Sequence, residues 1–140
     1  MTARLAIAAG ATLADLAALR MRSGAVALSP PQAIVMAEQI GGGASWRLMH
    51  HGEVIGIGGF YPLGEHLAAW MIAGASMSAL LVDIVRRMRW HIRDHAAVAG
   101  KAIRCEVLRT NTEGRRLARL LGFQPVTMSA TGMLTLEWRP

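Results

Sequence analysis

The chain has 140 residues, with 15 Lys and Arg against 9 Asp and Glu, for a formal net charge of +6. That length suits one domain with a real buried core, so a single domain over residues 1–140 is expected. One cysteine, Cys105, excludes an internal disulfide framework and a cysteine-rich zinc site. Nearly all the positive charge is arginine, whose planar fork suits phosphate, carboxylate or a nucleic-acid backbone.

The opening stretch has an early Arg4 and an apolar run, which superficially resemble a signal peptide. Asp15 interrupts that run and an amphipathic pattern continues, so a mature start and a cytoplasmic location are expected. The longest uncharged window, Leu67 to Val82, falls short of a membrane span and contains Gly74, Ser76 and Ser78 at its middle. No membrane association is expected.

In chain order, Ala3 to Ala8 alternates weakly as a first strand and Gly10 ends it. Thr12 offers a cap to a helix running to about Arg22, with Leu13, Leu16, Ala17 and Arg20 along successive turns. Ser29, Pro30 and Pro31 start a second helix, Ala33, Ile34, Ala37 and Ile40 give it an apolar side, and Gly41 to Gly43 stop it. From Ser45 the period becomes two. Trp46, Leu48 and His50 share one strand face and Arg47 and Met49 the other, His51 and Gly52 make the turn, and Val54 to Tyr61 returns as a hairpin partner. After a turn over Pro62 to Glu65, Leu67 to Ile72 reads as a third, largely buried strand of this meander.

A long helix follows from about Ser76 to Ala96, its stripe being Met77, Leu80, Leu81, Ile84, Val85, Met88 and Ile92. Arg86, Arg89 and Arg93 occupy the opposite side, a pattern that usually marks a solvated face. Ile103, Cys105 and Val107 then alternate with Arg104, Glu106 and Leu108 as a strand, which makes Cys105 a buried strand residue. Asn111 or Thr112 caps the next helix, Leu117, Leu120 and Leu121 form its apolar face, and Gly122 sits where a left-handed stop is wanted. A new strand begins at Phe123, and Met133 to Trp138 closes the chain as the last strand.

In this final unit Asn111, Gly114, Leu117, Leu121, Gly122 and Phe123 fit the form N-x-x-G/A-x-x-L-x-x-x-L-G-F in order. It resembles the C-terminal signature of the GNAT superfamily, the acyl-CoA-dependent N-acetyltransferases. The order β-α-α-β-β-β-α-β-α-β-β matches that fold over essentially the whole chain. The resemblance implies a mixed α/β domain: a central, mostly antiparallel sheet of about seven strands with about four flanking helices. It also implies acetyl-CoA as acyl donor, a primary amine as acceptor, no metal and, often, a homodimer. A different connection of the same elements stays open as the alternative.

By the same resemblance, acetyl-CoA lies where the fourth strand, Leu67 to Ile72, parts from the fifth, Ile103 to Leu108. Met71, Ile72 and Ala73 then belong to the cofactor's edge, and Gly74, Ala75, Ser76, Met77 and Ser78 take the place of the pyrophosphate loop, with Asn111 nearby. Two departures stand out. The family's Q/R-x-x-G-x-G/A loop lacks its basic residue and second glycine here, so a plain capped helix start is an equal reading of Gly74 to Ser78. The tyrosine that often protonates the leaving thiolate falls at Ala118, leaving Tyr61 as the one tyrosine in the chain.

Glu65, His66 and Glu106 are candidate bases, and Glu106 would need burial to work near neutral pH. His91 and His95, four apart on one helix, have metal-binding spacing but no third ligand, so they read as structural. Arg115, Arg116 and Arg119 could reach a cofactor phosphate or an acidic partner, against a solvated face as the default. Trp90, on the polar side of its helix, hints at a partner surface, yet no nucleic-acid motif accompanies it and nucleic acid is not an expected partner. A catalytically silent binding or assembly module is the competing function. Phage-encoded GNAT-like proteins resemble this chain in its abbreviated loop and in Arg116, Ala118, Arg119, Leu121, Gly122 and Phe123.

Overall fold

The computed structural model describes residues 5–23, 44–73 and 80–139. They form β1 (Ala6–Ala9), α1 (Leu13–Ser23), β2 (Ala44–His50), β3 (Glu53–Leu63), β4 (His66–Ala73), α2 (Leu81–Ala99), β5 (Ile103–Leu108), α3 (Thr112–Leu120), β6 (Gln124–Met128) and β7 (Met133–Trp138). The strands make a seven-stranded sheet in the order β1-β2-β3-β4-β5-β7-β6. Among the described residues three helices flank it rather than four, because the helix expected over Ser29 to Ile40 lies outside them. Contacts group the chain into two units, Met1–Tyr61 with Trp70–Leu81, and Pro62–Ala69 with Val82–Pro140.

In the first unit, α1 starts on a reciprocal cap. The Asp15 N–H donates to Thr12 Oγ1 at 3.1 Å while the Thr12 N–H donates to Asp15 Oδ2 at 3.0 Å, which satisfies two of the N–H groups a helix start leaves open. Leu16 and Leu19 turn inward and join Ala11 and Ile57 in a core against which Val54, Trp70 and Ile72 pack. Leu13 and Ala17, expected on that face, are exposed instead. Alanines at 14, 17 and 18 blur the stripe, so the two leucines three residues apart set its phase.

β1 pairs antiparallel with β2 from Ala6↔Met49 to Ala9↔Trp46, and β2 with β3 from Ala44↔Phe60 to His50↔Glu53. The hairpin turns on His51 and Gly52, whose φ angles of 52° and 74° are those of the two-residue turn that matches strand twist. β3 is buried on both faces from Ile55 to Phe60. Its glycines explain how. A Cβ on Gly58 would stand 2.5 Å from Trp46 Cζ2 and 2.8 Å from the Trp70 carbonyl oxygen, and one on Gly59 would stand 2.8 Å from Trp70 Nε1. The two indoles lie where side chains would be, one against each glycine, and Trp46 also meets Phe60 at 4.9 Å between ring centroids.

In the second unit, α2 buries Ile84, Met88, Ile92 and Ala96 at steps of four, the larger three each worth about 1.5–3 kcal/mol of apolar burial. Val85, Leu80 and Leu81 of the expected stripe are only half-buried, and the helix runs to Ala99, where Gly100 at φ 65° donates its N–H to the Ala96 carbonyl. β5 pairs antiparallel with β7 from Ile103↔Trp138 to Leu108↔Met133, and β7 with β6. α3 packs against β5. Its inward residues are Ala118 and, just past its end, Leu121, while Leu120 is 40% exposed. The helix stops as the sequence indicates: Gly122 at φ 101° donates to the Arg119 carbonyl and Phe123 to the Ala118 carbonyl, a double-bonded left-handed cap.

Candidate active site

β4 and β5 run parallel, and the rows that join them are Leu67↔Ile103 and Ala68↔Arg104, at the start of each strand. β4 has 8 residues and β5 has 6, so these two rows engage only the first part of either. A further bond from the Leu67 N–H to the Ala102 carbonyl at 2.9 Å anchors that end. Lys101 reaches back to the Gly64 carbonyl at 3.4 Å.

Met71 and Ile72 lie on β4 and are half-buried, Ile72 beside the core of the first unit; Ala73 ends the strand. Gly74, Ala75, Ser76, Met77 and Ser78 lie outside the described residues, as does the expected first turn of the long helix. Asn111 sits at the start of α3 as its N-cap, accepting the Gly114 N–H on Oδ1 at 2.9 Å. A Cβ on Gly114 would come within 2.5 Å of Asn111 Nδ2, so this glycine makes room for the capping amide. The Asn–x–x–Gly element of the sequence is thus a folded cap, and that job occupies the Asn111 Oδ1.

Tyr61 is half-buried near the end of β3 and belongs to the first unit; His66 and Glu106 belong to the second. Relative to the paired rows, Glu106 stands four residues further along than His66, about 13 Å at strand rise. The two candidate bases therefore do not share one site. Glu106 is exposed, so the burial it needs to act as a base is missing. Arg104, two residues before it, faces Glu137 directly across β5 and β7 and donates its Nε–H to Oε2 at 2.7 Å. Arg139 holds the other carboxylate oxygen. These two arginines, Arg104 first, keep the buried Glu137 below the usual carboxylate range. This triad was not foreseen; the one acid among the apolar residues of β7 was its signal.

Cys105 behaves as a strand residue. Burial, and then the Glu106 charge, push its thiol up to about 12, far from a reactive thiolate. Ala118, where the family often has tyrosine, is buried. His91 and His95 have ring centroids 6.4 Å apart and both are held below 6.5, by burial first; for His91 the neighbouring His95 adds to this, and Asp94 opposes it in both. Among the described residues no group of three or more His, Cys, Asp or Glu could hold a metal ion, and no helix is long and apolar enough to cross a membrane. Arg86, Arg89 and Arg93 are exposed on α2, and Trp90 with them at 67%.

A meander, a long helix, a parallel β4–β5 step and a strand–helix–strand close together define the GNAT fold. Solved structures bear this out. A protein from Bordetella pertussis described as a GNAT-family acetyltransferase matches with a TM-score of 0.68 at 19% identity, over 98% of this chain and 96% of that one. The ribosomal-protein-S18-alanine N-acetyltransferase of Escherichia coli matches at 0.69 and 16%, over 96% and 92%. A Bacillus subtilis acetyltransferase in complex with CoA matches at 0.68 and 11%, over 96% and 97%. By sequence, no protein-family model and no curated protein matches the chain. The chain has the GNAT fold, mixed α/β with a mostly antiparallel sheet, as its own C-terminal signature led one to expect.

Proposed function

We propose that the chain is an acyl-CoA-dependent N-acyltransferase that passes an acetyl group from acetyl-CoA to a primary amine by direct attack on the thioester. The observation that carries the reading is the short β4–β5 register, two rows at the start of strands of 8 and 6 residues. It supports a role for the later β4 backbone, through Met71, Ile72 and Ala73, in hydrogen bonding to the pantetheine arm. Peptide groups suit that task because the arm is itself built of amides. The likeness to a fold solved with CoA in one of its members supports it further.

In this reading Gly74 to Ser78 bind the pyrophosphate, since free N–H groups and the dipole of a helix start favour an anion. The amine attacks the acetyl carbonyl, the C–N bond forms, and the C–S bond breaks as the tetrahedral intermediate collapses. The ammonium proton passes to His66 or to water. Tyr61 is the side chain proposed to return a proton to the sulfur. A thiol with a pKa of about 8.5 leaves tolerably as thiolate, so a weak acid at this step slows the reaction without stopping it.

The competing reading is a GNAT-fold module without catalysis, favoured by the buried Ala118 in place of an acid. Calorimetric titration with acetyl-CoA, followed by a thiol-release assay over a panel of primary amines, separates the two. Saturable micromolar binding with amine-dependent release of CoA is expected. Absence of binding at millimolar acetyl-CoA would leave the module as the better reading.

A further inference from the structure

We propose that the outward face of α3 is a binding site for a phosphate monoester, an inference that stands on this helix alone and does not rest on acyl transfer. Thr112, Arg115, Arg116, Arg119 and Leu120 line an open groove of about 320 Å³. Thr112, Arg115, Arg116 and Arg119 are spaced three, four and seven residues on from the first, which places them along one stripe of the helix.

Arg115 is set in place before any ligand arrives. Its Nη1 donates to the Arg109 carbonyl at 2.9 Å, while its Nε is buried and has no hydrogen-bond partner. Nε is closed off from solvent, so what an anion in the groove can reach on this half-buried side chain is its outer guanidinium edge, with Nη1 already fixed by the backbone.

The charge pattern points the same way. Among the described residues Arg104 and Arg139 share the carboxylate of Glu137, whereas none of the three arginines of α3 has an acidic partner, although Glu113 stands on the same helix. Arg115 and Arg119 are like charges four apart, an arrangement that weakens a helix. Only Arg119, in the last turn, complements the helix dipole; Arg115 and Arg116 stand mid-helix and gain nothing from it. Clustered cations that the helix itself does not favour are what recognition of a doubly charged anion needs.

Guanidinium forks bond phosphate oxygens in parallel pairs, and the Thr112 hydroxyl adds a further donor. Leu120, 40% exposed at the end of the groove, offers an apolar wall to the organic part of an ester. That favours a phosphate monoester over the bare ion. The monoester has two sources: the 3′-phosphate carried by CoA, or a separate phosphorylated metabolite.

The test uses the full chain at low ionic strength, where exposed charges are least screened. AMP is titrated while the Nε–H resonance of Arg115 is followed by NMR, with adenosine as the uncharged control, and CoA is compared with dephospho-CoA by calorimetry. The variants are R116Q and R119Q, singly and together, with folding checked by circular dichroism. AMP, but not adenosine, is expected to move the Arg115 signal saturably, with affinity falling about tenfold for each arginine removed. A preference for CoA over dephospho-CoA that disappears in the double variant assigns the ester to the cofactor; AMP binding without that preference assigns it to a separate metabolite. The proposal is overturned if millimolar AMP leaves the Arg115 signal unmoved and the two cofactors bind alike, or if binding is the same in the double variant.

Discussion

Replacing Gly58 by alanine tests whether the packing of β3 against the indoles reaches β4, the strand proposed to hold the cofactor. The new methyl would lie 2.5 Å from Trp46 Cζ2, 2.8 Å from Trp46 Cε2 and 2.8 Å from the Trp70 carbonyl oxygen. Ordinary carbon contacts are about 3.5–4.0 Å, so Trp46 must retreat by about 1 Å and β4 must give at Trp70. Neither is easy: Trp46 is 3% exposed and packed at a tilt against Phe60, and the Trp70 oxygen is backbone. Overpacking of this kind costs about 1–3 kcal/mol. With a urea slope of about 2 kcal/mol/M the unfolding midpoint should fall by about 0.5–1.5 M. Tryptophan fluorescence reads it directly, since Trp46 is one of the two groups displaced. Acetyl-CoA affinity should fall with it, because Trp70 leads straight into Met71 and Ile72. A midpoint within about 0.2 M of the parent would refute the packing argument. A lowered midpoint with unchanged cofactor affinity would instead remove β4 from the cofactor site.

His91 and His95 should make the protein acid-sensitive. Both are held below 6.5 in the fold, so as pH falls the unfolded chain takes up protons first and is favoured. Their contribution is complete above about 6.5 and is lost as pH drops through the lowered folded values. The urea midpoint should therefore decline between about pH 7.5 and 5.5, and a double H91Q/H95Q variant should decline less; equal slopes would rule this out. At α3, Asn111→Ala removes the acceptor for the Gly114 N–H and should cost about 0.5–2 kcal/mol in urea unfolding, while Asn111→Asp keeps an acceptor and should restore most of it. Equal loss in both variants would mean that Asn111 acts by something other than capping.

Punctuation was the part of the chain most readable from sequence. Gly52, Gly100, Gly122 and Gly132 all take positive φ at turns or helix ends, and Thr12 and Asn111 cap the helices that follow them. Such signals are local, so the sequence carries them whole. Helix phase was less readable. On α1 the alanines drew Leu13 and Ala17 into the expected stripe and left out Leu19, which is buried, and on α3 the inward residue proved to be Ala118 rather than Leu120, because the side turned inward is decided by the strand the helix packs on. Cross-strand chemistry was hidden almost entirely. Arg104 is two residues from Glu106 and thirty-three from Glu137, and only the register of β5 with β7 reveals which acid it holds. The candidate catalytic groups were hard for the same reason: Tyr61, His66 and Glu106 were chosen by type, and distance along the strands separates His66 from Glu106.

The border strand β6 carries a last implication. All five of its residues are exposed, Val126 and Met128 by about half, and it terminates the sheet. A bare apolar ribbon of this kind invites stray chains to lengthen the sheet and seed aggregates. Here Pro125 offers no N–H, and the pairing with β7 slips between Pro125 and Thr127, so the hydrogen-bonding ladder is broken mid-strand. That pair of irregularities works as a built-in stop against runaway polymerisation, and smoothing it with an ordinary β-former at 125 should make concentrated solutions of this protein cloud.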